Sequence, residues 1–334
     1  MLTGDMTRIK ALGLLSGGLD STLATQVLLE QGIEVEAVNF MSPFCLCKKG
    51  GCGAAEAAKQ LHVPLKVMNV GTEYLKVVRK PKHGYGRNMN PCIDCRIFMM
   101  KKAKKYAKEI GASFIFTGEV LGERPMSQHF RALQIVEEES GLKGKLLRPL
   151  SARLLPATEA EKKGLVNREK LLSIRGRSRK PQIKLAEEFN IKDYPCPAGG
   201  CLLTYKEYAN KLRDLFQHKK RCSMADVTLL KVGRHFRFGA NKIIVGRNEA
   251  ENKILTAKRE RSDYYFEVPD FAGPITILQG PKTVKASKAA AGLTAFHSDA
   301  KSDKVTVNFG KESLDKSMIV SVPSQAEVDS LRVG

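Results

Sequence analysis

The chain lacks any run of 18 or more consecutive apolar residues, so no ordinary membrane-spanning helix is expected. Its first residues, Met1-Leu-Thr-Gly-Asp-Met-Thr7, lack the apolar core of a secretory signal, and a cytoplasmic location is the expectation. Acidic residues are in short supply: 35 Asp and Glu against 56 Lys and Arg give a net charge of +21. An enzyme of small metabolites has no need of that excess. A nucleic acid does, because neutralising phosphates releases counterions and so yields affinity. An anionic membrane is the rival partner, but no long basic amphipathic helix is apparent. There is no internal repeat and no Walker A loop, since the G-x-x-x-x-G-K-[ST] spacing and its lysine are missing. A disulfide framework is not expected of eight cysteines in a reducing compartment.

What is present is long enough for two domains with real cores: 334 residues, 43% hydrophobic and 27% charged. The most informative stretch is Ala11-Leu-Gly-Leu-Leu-Ser-Gly-Gly-Leu-Asp-Ser-Thr22. An apolar strand over 9–15 runs into Ser16-Gly-Gly-Leu-Asp-Ser21, and a helix pattern follows at once with Leu23, Ala24, Val27 and Leu28 on one face. Strand, glycine turn and helix N-terminus together bind phosphate: glycines let backbone N–H groups point inward, hydroxyls add donors, and the helix dipole favours the anion. The alternative is a plain glycine turn, but hydroxyls, aspartate, strand and helix all agree on a nucleotide.

Alternating β and α segments continue, with a helix over 21–31 capped by Gly32, strands at 34–40 and 65–70, helices at 53–61 and 96–111, and a strand at 113–117. Repeated βα units imply a parallel sheet with helices on both faces. The phosphate loop then lies at the carboxyl end of the first strand, where such sheets bind ligands. From 162 to 184 the chain holds nine Lys or Arg and one acid, Glu169, densest at Ile174-Arg-Gly-Arg-Ser-Arg-Lys180. This is either a solvated basic loop and helix or a contact to RNA phosphates or the nucleotide. A helix over 206–219 follows, and the C-terminal part reads as short strands at 243–245, 264–268, 275–278 and 305–307 with a helix over 285–291. The resulting domain plan is 1–205 for the nucleotide-binding part, 206–228 as a helical linker, 229–312 as a smaller α+β domain and 313–334 as a tail, frayed from 325 on.

The cysteines cluster as Cys45, Cys47 and Cys52, as Cys92 and Cys95, and as Cys196 and Cys201, with Cys222 alone. Asn90-Pro-Cys-Ile-Asp-Cys95 puts two thiols three residues apart at a helix start, a spacing that suits a redox pair or two ligands of one metal. Cys201, behind two glycines, completes a set of three more readily than Cys196, which stands between prolines. Three thiols leave open a [4Fe–4S] cluster with one free iron, a cysteine persulfide with a resolving partner, or structural zinc. Cys45, Cys47 and Cys52 follow the second strand and either face the same cavity or belong to a loop or zinc knuckle of their own.

With these motifs in hand, the N-terminal two-thirds resembles the PP-loop tRNA thiolation enzymes, the group that includes 2-thiouridylases and 4-thiouridine synthetases. The likeness rests on Ser16-Gly-Gly-Leu-Asp-Ser21, Asn90-Pro-Cys-Ile-Asp-Cys95, Thr117-Gly-Glu-Val-Leu-Gly-Glu-Arg-Pro-Met-Ser-Gln128 and Pro197-Ala-Gly-Gly-Cys-Leu-Leu-Thr204. It implies an α/β, parallel-sheet PP-loop fold (adenine nucleotide alpha hydrolase-like) with a smaller α+β C-terminal domain. It also implies an ATP-dependent tRNA uridine thiolase: ATP adenylates a uridine oxygen, and sulfur from a persulfide or a cluster replaces AMP. Val245-Gly-Arg-Asn-Glu-Ala-Glu-Asn-Lys-Ile-Leu255, with the 285–291 helix and 305–309, resembles an NFACT-type RNA-binding domain. Neither a rhodanese-like segment nor an N-terminal THUMP domain is expected, which favours the cluster as sulfur carrier.

On that resemblance ATP and Mg²⁺ lie over Ser16, Gly17, Gly18, Asp20 and Ser21, and Gly118 and Glu119 meet the nucleotide or target base. Arg124, Ser127 and Gln128 are weaker candidates on the same loop. Cys92, Cys95 and Cys201 hold the cluster. Asp94 transfers a proton or, equally, serves as a first-turn helix charge. Arg175, Arg177, Arg179, Lys180, Arg234 and Arg237 meet tRNA phosphates. The partners implied are tRNA, a sulfur donor (sulfide or a cysteine desulfurase) and, as in many relatives, a second copy in a homodimer. Two other readings stand beside this one: a different adenylating chemistry, such as an amidotransferase or tRNA-lysidine-type ligase, and a non-catalytic RNA binder on a relict nucleotide fold. His83 and His235 are expected to have no chemical role.

Overall fold

In a computed structural model, residues 9–46, 53–192, 194 and 200–334 are described. The expectations placed on Cys47, Cys52, Cys196, residues 197–199 and the first eight residues lie outside them. The chain divides into two compact units, Met1–Leu202 and Leu203–Gly334.

The first unit runs β1 (Lys10–Leu14), α1 (Leu19–Leu29), β2 (Glu34–Met41), α2 (Ala54–Gln60), β3 (Leu65–Asn69), α3 (Thr72–Arg79), α4 (Cys92–Glu109), β4 (Phe114–Thr117), α5 (Phe130–Ser140), β5 (Leu146–Leu147), α6 (Glu159–Lys162) and α7 (Lys180–Glu188). The sheet is parallel in the order β3-β2-β1-β4-β5. Alternate residues of each strand face opposite sides. Ala11, Val35, Phe114 and Phe116 join a core with α1 and α2, while Leu12, Val38 and Ile115 join a second core with α4. A strand buried on both faces reads as a continuous apolar run, as Ala11-Leu-Gly-Leu-Leu15 does. The order reverses between β1 and β4, so their carboxyl ends flank the crevice where open α/β sheets take ligands.

The second unit holds α8 (Lys206–His218), α9 (Met224–Leu229), β6 (Arg234–Phe238), β7 (Asn241–Val245), α10 (Glu249–Lys258), β8 (Tyr264–Glu267), β9 (Thr276–Gln279), α11 (Val284–Phe296), β10 (Lys304–Gly310), β11 (Lys316–Ser321) and α12 (Gln325–Leu331). Its six strands are antiparallel, in the order β11-β10-β8-β9-β7-β6. Small residues Ala286, Ala290 and Ala291 let α11 lie close on this sheet, over Phe236, Phe266 and Val307.

Two expectations of organisation change. The segment 206–228 is no free linker, because α8 buries Tyr208, Ala209, Leu212 and Leu215 and belongs to the second unit. Nor is the C-terminus frayed. β11 pairs with β10 from Lys316 to Ser321, and α12 starts with a Ser324–Glu327 capping box and buries Val328 completely. No helix among the described residues is long and apolar enough to cross a membrane.

Candidate active site

Leaving β1, Leu15 N–H donates to Val38 O (3.0 Å) and the chain turns through Ser16, Gly17 and Gly18 into α1. Gly17 has φ +77°, and a Cβ there would lie 2.1 Å from the Gly53 carbonyl carbon and 2.2 Å from Ala54 N. No side chain fits between the loop and the start of α2. Ser21 closes the turn: its hydroxyl donates to Gly18 O (2.9 Å), accepts from Ser16 N–H (3.2 Å) and lies 3.1 Å from the Ser16 hydroxyl. The N-cap, Gly18, has no side chain to occupy the first amides of α1, which leaves a polarised helix terminus facing the crevice.

Gly118, just past β4, presses on the same helix. A Cβ there would lie 2.5 Å from the carbonyl of Asp20 and from Ser21 N. Glu119 follows and is buried; it accepts from the Thr117 hydroxyl (3.1 Å) and from Arg148 Nε (3.1 Å), with Arg96 at 3.5 Å. Burial pushes its carboxyl up, but Arg148 and Arg96 outweigh that and hold it below the usual range. Arg148 also pairs with Glu137. Glu119 is therefore anchored as part of a buried ion network. Ser127 and Gln128 are buried as well, and Gln128 accepts Arg124 N–H (3.0 Å), so these residues shape their own loop.

Asp20, in the first turn of α1, has its carboxyl pushed up to about 6, first by burial and then by Glu123, against the pull of Arg179. Arg179 Nη2 lies 2.7 Å from Glu123 and 3.6 Å from Asp20. Asp20 Oδ1, Glu123 Oε2 and Arg179 Nη1 are buried with no hydrogen-bond partner. Buried polar atoms are usually satisfied, so this group is built to receive something polar. Arg179 thus turns inward, whereas Arg175, Arg177 and Lys180 are exposed. Gly176 N–H donates to Leu121 O (2.8 Å), which ties the basic segment to the loop after β4.

The thiols come from two places, the start of α4 and the segment at Cys201. Pro91 precedes α4 and Cys95 N–H closes its first turn on Pro91 O (2.8 Å), so Cys92 and Cys95 lie one turn apart at the helix start. Cys201 pairs in a β-bridge with Cys45, flanked by Leu202 N–H to Phe44 O (2.9 Å). Tyr74 of α3 is buried between Phe44 (5.9 Å) and Phe98 (5.5 Å). Its hydroxyl is hydrogen-bonded to Cys95, and its proton is held well above the usual range by burial first and then by Cys95, Cys201 and Cys92. Burial likewise raises the Cys92 and Cys95 thiols. Arg96 and Arg124 oppose this at Cys92, and the Tyr74 hydrogen bond and Arg96 oppose it at Cys95. Cys92, Cys95, Cys201 and Cys222 are outside any disulfide, while Cys45 is disulfide-bonded, a bond the expectation of no disulfide framework did not foresee. Asp94 is committed elsewhere: its two oxygens accept Lys82 N–H (2.8 Å) and His83 N–H (3.0 Å). Among the described residues, no three His, Cys, Asp or Glu side chains stand close enough to hold one metal ion.

Two arginines link the two halves of the site. Arg124 acts on both Asp20 and Cys92. Arg96 acts on both thiols of α4 and on Glu119. Tyr74, Arg96, Arg148 and Glu123 were not legible as site residues, because nothing in their spacing marks them. In the second unit Arg237 is paired with Asp214 (Nε 2.8 Å), whereas Arg234 donates to Gly246 O (3.2 Å) and keeps its charge. His235 is buried, its ring nitrogen 2.8 Å from Val232 O, and His83 lies 2.9 Å from Glu139.

Comparison with known proteins bears on this constellation. Residues 6–153 match the family model described as thiamine biosynthesis protein (ThiI). The ThiI match takes in the phosphate loop, Cys92, Cys95, Glu119 and Arg148, and stops short of the basic segment and Cys201. Residues 233–330 match the NFACT protein RNA binding domain. A probable tRNA sulfurtransferase of Thermococcus kodakarensis is 30% identical over 153 residues, 43% of this chain and 37% of that protein. A tRNA-specific 2-thiouridylase MnmA of Coxiella burnetii is 29% identical over 141 residues, 39% of either chain. The chain spans well under half the length of both. A solved 4-thiouridine synthetase–RNA complex with bound ATP is 25% identical with a TM-score of 0.36, covering 66% of this chain and 52% of that one. So loose a superposition adds nothing to the fold described above.

Proposed function

We propose that this protein is an ATP-dependent tRNA sulfurtransferase. The supporting observation is the pair of arginines, Arg96 and Arg124, each within electrostatic reach of both the thiols and the carboxylates of the nucleotide crevice. One bound substrate can therefore meet both groups. ATP lies over Ser16–Ser21, its phosphates on the first amides of α1, with Mg²⁺ at the unsatisfied Asp20 oxygen. A uridine carbonyl oxygen attacks the α-phosphorus and pyrophosphate leaves. A sulfur nucleophile then adds to the activated carbon, the C–O bond breaks and AMP departs. Arg124 and Arg179 offset the negative charge that accumulates as these bonds change.

Cys92, Cys95 and Cys201, all within electrostatic reach of the Tyr74 hydroxyl and with Arg96 and Arg124 beside Cys92, would hold a [4Fe–4S] cluster. When bound, its open iron would hold an exogenous sulfide for transfer. A persulfide on one of the same cysteines is the second reading, favoured by the spacing of the donors, no three of which close on a single ion among the described residues. Asp94, held by two backbone amides, positions the start of α4.

The test supplies ATP, unmodified tRNA and sulfide under anaerobic conditions. Expected are tRNA-dependent pyrophosphate release and a thiolated uridine after nuclease digestion. Ammonia- or amino-acid-dependent product without sulfur would replace this reading with another PP-loop chemistry, and no ATP turnover with tRNA present would leave a non-catalytic RNA binder. Cys201→Ala should lose thiolation by at least about a hundredfold while nucleotide affinity stays within twofold (roughly) of the parent. Retained thiolation would remove Cys201 from the site.

A further inference from the structure

One cluster of cations in the second unit forms no close ion pair among the described residues, and only Lys282 of its members feels nearby acids, Asp263 and Glu260. Tyr264 of β8 rests against Phe309 of β10 (ring centroids 5.8 Å). Around its ring stand Lys316 of β11 at 5.5 Å, Lys282 after β9 at 5.7 Å and Lys311 in the β10–β11 hairpin at 5.9 Å. On the other face of β8, at the same end of the strand, Arg259 stacks on Tyr265 (4.4 Å), donates to Lys311 O, and keeps a buried Nε without a hydrogen-bond partner. These residues are far apart in sequence, yet the antiparallel pairing brings them to one end of the sheet.

Gathering four cations costs free energy in proportion to their proximity. The nearby acids offset it only in part: Asp263 and Glu260 attract Lys282, and both have other partners. Asp263 is buried and accepts Gln279 and Glu260 N–H, and Glu260 pairs with Lys219. Glu312 and Asp315 share the hairpin, but among the described residues neither forms an ion pair with Lys311 or Lys316. Lys311 and Lys316 are exposed. Cations held over a tyrosine ring are partly preorganised, so an arriving polyanion need order little.

We infer that the Tyr264 cluster, with Lys282, Lys311, Lys316 and Arg259, is a binding site for the phosphodiester backbone of RNA, and this rests on the reading of the protein as acting on tRNA. The surface is polar and cationic with one flat ring, which suits a phosphate ladder rather than a protein partner's apolar face. Of the two arginines of this unit that first suggest an RNA contact, Arg237 is held in an ion pair with Asp214.

The test measures binding of a labelled tRNA transcript to the full chain by fluorescence anisotropy over a KCl series. Lys311→Gln/Lys316→Gln keeps both stems and removes two charges. Lys301→Gln/Lys304→Gln, at the opposite end of β10, removes the same charge elsewhere. Expected is roughly tenfold weaker binding for the first pair, with the salt slope reduced by about 1.5, and a change of about twofold or less for the control. Equal effects in the two pairs, or none in the first, overturn the inference while tRNA binding by the parent chain keeps the broader reading intact. Failure of the parent chain to bind tRNA overturns both. Loss of binding to anionic phosphatidylserine vesicles in place of tRNA would assign the cluster to a membrane and overturn it as well.

Discussion

Replacing Asp20 with Asn should stabilise the ligand-free first unit, and by an amount that depends on pH. The Asp20 carboxyl moves from 3.8 to about 6 on folding, chiefly through burial. A folded-state pKa above the unfolded one means that the folded chain binds more protons between those values, so stability falls as pH rises from about 4 to 6 and stays low above that. The difference of about 2.2 units corresponds to roughly 3 kcal/mol at pH 7 and above, and about 1 kcal/mol near pH 4.5. Asn mimics the protonated acid and never ionises, so Asp20→Asn should recover most of that amount. Arg179 keeps Glu123 at 2.7 Å and is not stranded. For a unit of about 200 residues, 3 kcal/mol is roughly 6–12 °C in Tm. Calorimetry of parent and variant without ligand at several pH values would show this. A gain over the parent that is no larger at pH 8 than at pH 4.5, or a variant less stable than the parent throughout, would refute the assignment of a destabilising buried carboxylate. The same variant should lose nucleotide-dependent turnover, which is the pattern of a site that stores strain for a ligand.

Three further outcomes follow from the geometry. Gly118→Ala places a methyl 2.5 Å from the Asp20 carbonyl, so β4 and α1 must separate; a loss of roughly 1–3 kcal/mol in stability and a clear drop in ATP-analogue affinity by isothermal calorimetry are expected. Arg148→Met leaves Glu119 buried with only Arg96 beside it and should cost about 3–5 kcal/mol by urea titration, whereas Arg148→Met combined with Glu119→Gln should recover much of it. Deleting 323–334 removes the capping box and uncovers the site of the fully buried Val328, so the second unit should lose about 2–4 kcal/mol, read as a lower melting transition for that unit. A merely frayed tail would lose nothing.

The parallel sheet and the phosphate loop could be read from the chain because their signals are local. Ala11-Leu-Gly-Leu-Leu15 is apolar without interruption, and the glycines, hydroxyls and aspartate follow at fixed offsets into a helical pattern. The start of α4 was placed four residues late, since Asn90-Pro91 reads as a turn although proline also suits a helix start. α3 was missed because it is short and its propensity is low; it is a helix because Tyr74, Leu75 and Val78 find a buried face. β6, Arg234–Phe238, carries charges that drew attention to RNA instead of to the strand that pairs with Asn241–Val245. What no local pattern can give is the meeting of Tyr74 with Cys95 and Cys201, or the inward turn of Arg179 toward Asp20, because both depend on where distant segments land on the sheet.

The same physical cause acts on both halves of the candidate site. Burial raises Asp20, Cys92 and Cys95 alike, so the closed crevice favours their neutral forms. A nucleotide brings more negative charge and would drive them further the same way. The arginines oppose this, together with hydrogen bonds from Tyr74 at Cys95 and Gln182 at Asp20, and Arg124 does so at Asp20 and Cys92 together. A basic segment that merely coated the surface would leave the thiols neutral and therefore weak as nucleophiles or ligands. The inward position of Arg179 and the shared reach of Arg124 are thus electrostatic requirements of placing thiols beside a phosphate loop.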